Sequence, residues 1–328
     1  MALMTDAVML NDVKVLVPSG CGSYCDPQVK PVFATVSTLL AANQSRLYIN
    51  TEGGEHDQWD TVNLTAWATA AANRLIGFDD FICIVNTGET AIIYSDDRGT
   101  TQVEIDQTVV TDWAANAPKC IDAIDMTFIV IGCANGYIQK STDAARTWET
   151  IEAGLATTDD LVRIEIARDN PQVIYAIGDT NAVIKSENGG ETWASTVTTP
   201  GTASLALWVK DQNHVLIGDN VGGIYETSDG GVTWVAQTAP DDLPAAPYIN
   251  DIVGCNRTGV AWMAVEHSGG ANHVILRNVD GGAGGRWYLP ANADDLTHEP
   301  NAIAASGPNR ALAVGGDATP AGMTVLLA

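Results

Sequence analysis

Ser186-Glu-Asn188-Gly-Gly190-Glu-Thr192-Trp193 and Thr227-Ser-Asp229-Gly-Gly231-Val-Thr233-Trp234 are two copies of one frame. A hydroxyl residue is followed two places on by an acid or amide, then by glycine two further on, then by Thr-Trp. Ser141, Asp143 and Trp148 hold the same frame with alanine in place of glycine. Ser95, Asp97 and Gly99 hold it again, with Gln102 where tryptophan would stand. Two looser copies, from Asn50 to Trp59 and from Asn278 through Asp280 to Trp287, carry two extra residues before the aromatic.

The copies begin at 50, 95, 141, 186, 227 and 278, so the intervals are 45, 46, 45, 41 and 51. Such a period marks an array of supersecondary units, none able to bury its apolar faces alone. Within each unit an apolar run ends in glycine, as in Val173 to Gly178 or His214 to Gly218. An alternating run follows, as in Ala182 to Ser186, and then the frame. Alternation at period two, punctuated by Gly, Asn and Asp, predicts strand-turn-strand units and almost no helix. The frame has a mechanical reading. The acid or amide accepts backbone N–H groups of the turn, glycine supplies positive φ, the hydroxyl bonds the backbone locally, and the tryptophan packs into the unit.

The frame Ser-x-Asp-x-Gly-x-Thr-Trp resembles the Asp-box, or BNR repeat, of sialidase-like β-propellers. That resemblance implies an all-β propeller of four-stranded antiparallel blades, with each box between the third and fourth strands, away from any active centre. Counting periods round the chain predicts seven blades in one domain spanning 1–328. Met323 to Ala328 stands where a third strand belongs, and the alternating run Ala7 to Val17 is expected to supply the outer strand of that closing blade (301–328 plus 7–17), so hiding the sheet edges. Sialidases of this fold carry Phe/Tyr-Arg-Ile-Pro ahead of the first box. The matching stretch here, Pro31 to Ser37, has no arginine, which argues against sialidase chemistry.

Composition excludes several classes. The formal net charge is −24, from 40 acidic and 16 basic residues, so nucleic acid is an unsuitable partner. No run approaches a membrane span, and the first residues resemble no secretory signal. Cys83 and Cys133 read as buried second-strand residues. Cys21 and Cys25 allow a disulfide or half a zinc site; no second Cys/His pair completes the latter. The five histidines show no metal-ligand spacing, and no catalytic elbow or phosphate loop is present, so no catalytic, cofactor or metal residue is assigned.

Acidic residues on the inner strands are the candidates to face the axis: Asp122, Asp125, Glu165, Asp211 and Asp251, with Arg74 and Arg163 as the basic counterparts. Two carboxylates about 5–10 Å apart would be needed for glycoside hydrolysis. Trp67 and Trp113 read as contact or packing residues. The reading that follows is a non-catalytic structural module, expected on a virion (capsid decoration, head fibre, tail or baseplate of a bacteriophage), made in the host cytoplasm and touching other structural proteins of a large assembly. Its contacts are expected on residues 18–31, Pro240 to Pro247 and Gly269 to His273. Cytoplasmic residence, or export without a signal, is the alternative location. A lectin or glycosidase acting on host-surface glycan is the alternative function. A photosystem-type assembly factor ranks third, because such a protein is expected to carry a targeting segment and a basic patch.

Overall fold

The apolar runs closed by glycine and the alternating runs after them become neighbouring antiparallel strands in the computed structural model. The structure describes residues 12–15, 39–42, 46–50, 60–63, 73–78, 80–86, 90–152, 159–180, 182–195, 202–238, 243, 247–256, 258–267, 273–279, 286–290, 300–307, 310–315 and 324–327. The first sheet holds β1 (Asp12–Val15), β2 (Leu39–Ala42), β3 (Arg46–Asn50) and β4 (Asp60–Asn63). The second holds β5 (Asn73–Phe78), β6 (Phe81–Asn86), β7 (Ala91–Ser95) and β8 (Val103–Asp106). The third holds β9 (Pro118–Asp125), β10 (Phe128–Cys133), β11 (Tyr137–Ser141) and β12 (Glu149–Glu152).

The fourth comprises β13 (Leu161–Ile166), β14 (Ile174–Gly178), β15 (Val183–Ser186) and β16 (Ala194–Ser195). The fifth comprises β17 (Ser204–Val209), β18 (Val215–Asp219), β19 (Ile224–Thr227) and β20 (Val235–Ala236). The sixth comprises β21 (Pro247–Gly254), β22 (Ala261–His267), β23 (Val274–Asn278) and β24 (Trp287–Tyr288). The last, with three strands among the described residues, is β25 (Pro300–Gly307), β26 (Arg310–Gly315) and β27 (Thr324–Leu327). The fold is thus an all-β propeller-like arrangement of antiparallel, mostly four-stranded sheets.

Burial follows strand position. The second strands β14 and β18 are buried at every residue, while the outer strands β16 and β20 are exposed at every residue. A second strand reads as a continuous apolar run because its sheet is covered on both faces, not one. The core is therefore a series of layers between consecutive sheets. One joins Ile92, Trp113, Ile121 and Ile131; the next joins Cys120, Val130, Leu161 and Ile174; a third joins Tyr175, Ile177, Leu207 and Val215. Cys83 and Cys133 are buried second-strand residues in these layers. Each first strand packs against the first strand of the next sheet, and β25 lies against β1.

One expectation is corrected. Asp12–Val15 pairs antiparallel with Leu39–Ala42 and becomes the first strand of the first sheet, not the outer strand of the last. The first sheet would otherwise begin at Leu39 with only three strands. An alternating run fits either position, so periodicity did not choose between them; the missing inner strand did. The remainder of 7–17 lies outside the described residues. Thr324–Leu327 is the third strand of its sheet, as its position in the period implied.

A glycine one residue before the end of a second strand admits the neighbouring sheet. A Cβ at Gly218 would stand 2.3 Å from Ile249 Cγ2, and one at Gly132 would stand 3.0 Å from Leu161 Cβ. Gly218→Ala is expected to destabilise by about 1–3 kcal/mol through overpacking, read as a lower urea midpoint. An unchanged midpoint would show that the two sheets do not meet at this glycine.

Candidate functional site

Two constellations came out of the sequence: the boxes at the perimeter and charged residues near the axis. In the boxes the hydroxyl at the end of the third strand is the organising atom. Ser95 Oγ accepts Gly99 N–H at 2.7 Å and donates to Asp97 Oδ1 at 2.8 Å. Ser141, Ser186 and Thr227 repeat the pattern, accepting the N–H groups of Ala145, Gly190 and Gly231 at 3.0, 2.9 and 2.9 Å. The acid or amide then closes the turn. Asp97, Asp143, Asn188 and Asp229 accept the backbone N–H of Thr101, Thr147, Thr192 and Thr233 at 2.7, 2.8, 2.9 and 2.8 Å. Where the residue is Asn188, its Nδ2 donates to Thr192 Oγ1; where it is Asp229, Oδ2 accepts from Thr233 Oγ1. The threonine hydroxyl reverses its role to suit either partner.

The fourth and fifth residues of the frame are left-handed: φ is 69° and 88° at Gly189 and Gly190, and 57° and 63° at Ala144 and Ala145. Alanine therefore holds a conformation that costs about 1–2 kcal/mol per residue. Each box is also pinned to the first hairpin of its sheet. Arg98, Ala144, Gly189 and Gly230 donate their N–H to Asp80, Met126, Gln172 and Asn213 carbonyls, each at 2.8 to 3.0 Å. Trp148 and Trp193 reach back through Nε1 to Ala145 and Gly190 carbonyls at 3.1 and 3.0 Å. Gln102, in the copy without tryptophan, makes the matching bond through Nε2 to Gly99 carbonyl at 3.0 Å. Trp234 is half-buried against the layer between the fourth and fifth sheets. In the sixth copy Asn278 is fully buried and pairs with Trp287, whose Nε1 donates to Gln237 Oε1 at 3.3 Å. Asp280 lies outside the described residues, as do Cys21, Cys25 and Trp67.

The axial candidates divide. Asp125 accepts Thr127 N–H and hydroxyl, and Asp211 accepts the N–H groups of Asn213 and His214. These two hold the hairpin turns between the first and second strands of their sheets. The other three carboxylates tie one first strand to the next. Asp122 accepts Ile166 N–H at 2.8 Å and pairs with Arg168 at 2.7 Å. Glu165 accepts Val209 N–H at 2.8 Å, and Asp251 accepts Ile303 N–H at 3.0 Å. Arg163 reaches from β13 past β17 to β21, donating to Asn250 carbonyl at 2.8 Å with Asp251 at 3.7 Å. Arg74 and Arg163 both act electrostatically on Cys120, whose thiol burial pushes up to about 12.

No group of three or more metal-ligating side chains occurs among the described residues. No helix among them is long and apolar enough to cross a membrane. Trp113 is fully buried in a short 3-10 helix beside Trp148, so it is a packing residue. His273 is buried, its Nδ1 accepting His267 N–H at 3.0 Å, so it is no surface contact either. Residues 18–31, and most of the loops before Pro247 and before His273, lie outside the described residues.

The model of the photosynthesis system II assembly factor YCF48 family matches residues 120–282. That stretch is just under half of the chain, whose boxes and all-β propeller-like sheets are similar to those of BNR-repeat propellers. A solved structure of YCF48 bound to D1 peptide is similar over 99% of this chain and 95% of its own, with a TM-score of 0.70 at 13% identity. YCF48 from Cyanidioschyzon merolae is similar over 99% of this chain and 98% of its own, with 0.68 at 14%. A GH74 xyloglucanase from Xanthomonas campestris is similar over 96% of this chain but 52% of its own, with 0.64 at 16%. At these identities the likeness is one of fold. No curated protein matches the sequence.

These matches overturn the expected virion role, and with it the phage partners, the virion location and the glycan-acting alternative. The matching family is the one ranked third in the sequence reading. A missing arginine argues against sialidase chemistry, but it does not choose among the other uses of the fold.

Thr227→Val should cost about 1–3 kcal/mol, because the buried Gly231 N–H loses its acceptor; urea melts will read it. Asp229 is held down to about 2 by the Thr233 hydroxyl and backbone N–H, and Asp97 and Asp143 are held below the ordinary carboxylate range by the hydroxyls of Thr101 and Thr147. Their stabilisation is complete above the unfolded carboxylate pKa of about 3.9 and is lost as pH falls toward the folded value. Protection against amide exchange at 227–234, relative to the intrinsic rate, should therefore fall between about pH 4 and pH 2, while 186–193, built on Asn188, should not follow. Equal acid sensitivity of the two segments would refute this.

Proposed function

We propose that this chain is a non-catalytic propeller of the YCF48 kind, which binds a segment of a partner protein during assembly of a larger complex. The observation that carries the reading is the family match over 120–282, a stretch running from the third sheet to the sixth. The similarity to YCF48 bound to D1 peptide supports a peptide as the type of ligand. The axial carboxylates favour the same conclusion. Asp122, Glu165 and Asp251 are each bonded to backbone of the next strand, so none is poised as a free acid or base opposite another.

The finer architecture belongs to the same reading. Seven blades in one domain, closed by β1 against β25, would account for the sheet order and the strand contacts. The box residues would be architectural: their polar atoms are consumed within the turns and point at no common cleft. Binding of a fluorescein-labelled D1 peptide, followed by anisotropy, tests the function. Saturable binding competed by unlabelled peptide is the expected result. No binding, together with turnover of xyloglucan, would overturn the proposal.

A further inference from the structure

The first strands bulge at one common level. Lys119 in β9, Val162 in β13, Leu205 in β17, Asn250 in β21 and Asn301 in β25 each lack a partner residue on the second strand of their sheet. All five stand near the start of their strands, hence at one mouth of the axis. A bulged residue leaves the ladder and its strand bends there, a device common beside binding sites.

The structure answers three of the five. Lys119 pairs with Asp160 at 3.1 Å, and the carbonyls of Val162 and Asn250 accept Arg163 at 2.9 and 2.8 Å. Leu205 and Asn301 are half-buried, and no side-chain tie is made to either among the described residues. They flank Asn250 on three consecutive first strands, and Asn250 Nδ2 donates to Glu266 Oε2 at 2.9 Å and to Pro300 carbonyl at 3.2 Å. An apolar residue and one amide without such a tie therefore stand at the same level. An amide both donates and accepts, which suits the backbone of an extended chain.

Charge selects the occupant. The only charged residue on β17, β21 and β25 is Asp251, already shared by Arg163 and Ile303 N–H. Beside it Glu266 accepts Asn250 Nδ2 at 2.9 Å. The whole chain carries −24, and a field of that sign concentrates cationic ligands and repels anionic ones. We propose that an extended, net-basic segment of a protein partner lies across the bulged mouth of β17, β21 and β25, touching Leu205 and bonding Asn301. This rests on the peptide-binding reading above and gives that binding a place and a charge.

Hydrogen exchange with a ten-residue alternating Lys/Val peptide, and with its Asp/Val counterpart, tests the site. The basic peptide should slow exchange in 202–207 and 300–305, and the acidic one should not. Asn301→Ala and Leu205→Ser should weaken the basic peptide about tenfold with an unchanged Tm, whereas Val235→Ser on the outer edge should leave its affinity intact. Protection elsewhere, equal binding of the acidic peptide, or undiminished binding by both mouth variants would overturn the proposal. If the D1 peptide binds while the mouth stays unprotected by either alternating peptide, the placement fails and the peptide-binding reading stands. If the basic peptide protects the mouth and the D1 peptide does not bind, the placement stands and the D1-type reading fails.

Discussion

The third, fourth, fifth and sixth sheets are each covered on both faces, and that single packing constraint dictates most of what the chain must do. A sheet pressed between two neighbours needs a second strand that is apolar at every position, which β14 and β18 supply. It also needs somewhere for the neighbour to enter. Gly132 and Gly218 provide this by having no side chain where Leu161 and Ile249 arrive. Once the first strands are brought this close, their backbone N–H groups need partners across the gap, and Asp122, Glu165 and Asp251 provide them. Charges that look like a catalytic set in sequence are thereby engaged as inter-sheet ties.

The perimeter follows the same logic at lower packing density. Outer strands of two residues, as in β16 and β20, bring too few ladder bonds to hold themselves. The box compensates with hydrogen bonds that do not depend on burial of the acid. The hydroxyls of Ser95, Ser141, Ser186 and Thr227 are almost inaccessible to solvent, so the N–H groups they accept would otherwise be unsatisfied. Consecutive perimeter units are further joined by Arg146 with Asp96 and by Lys140 with Glu191. Exposed pairs of this kind contribute little to stability; their repetition at the box spacing reflects the repeat and is not a separate device.

The strand pattern, the period and the box chemistry were legible in the sequence because each is local: a hydroxyl, an acid and a glycine at fixed offsets need only their own turn. What was not legible depends on contacts between units. The placement of Asp12–Val15 was ambiguous because an alternating run fits an inner or an outer strand equally well. Asp125 closes β9 and Asp211 stands two residues beyond β17, and at the end of a first strand a carboxylate serves the hairpin turn. The bulges at Leu205 and Asn301 have no residue signature, since leucine and asparagine occur in flat strands too. Function was the least legible of all, because the repeat that identifies the fold is shared by propellers with unrelated jobs.

Differences among the boxes show what each turn physically requires. Asn188 replaces aspartate and Thr192 turns its hydroxyl to match; Gln102 replaces tryptophan and still bonds the carbonyl that Trp148 and Trp193 reach in their copies. The demand is for a donor or acceptor at a given point, and more than one side chain can meet it. A frame so tolerant of replacement constrains the perimeter and leaves the bulged end of the first strands free to vary. Leucine, asparagine, valine and lysine occupy one structural position in five successive strands. Variation at a position the architecture does not fix is where a propeller can acquire a partner without disturbing its sheets, and the asymmetry of that mouth is what would let it hold one segment in one orientation.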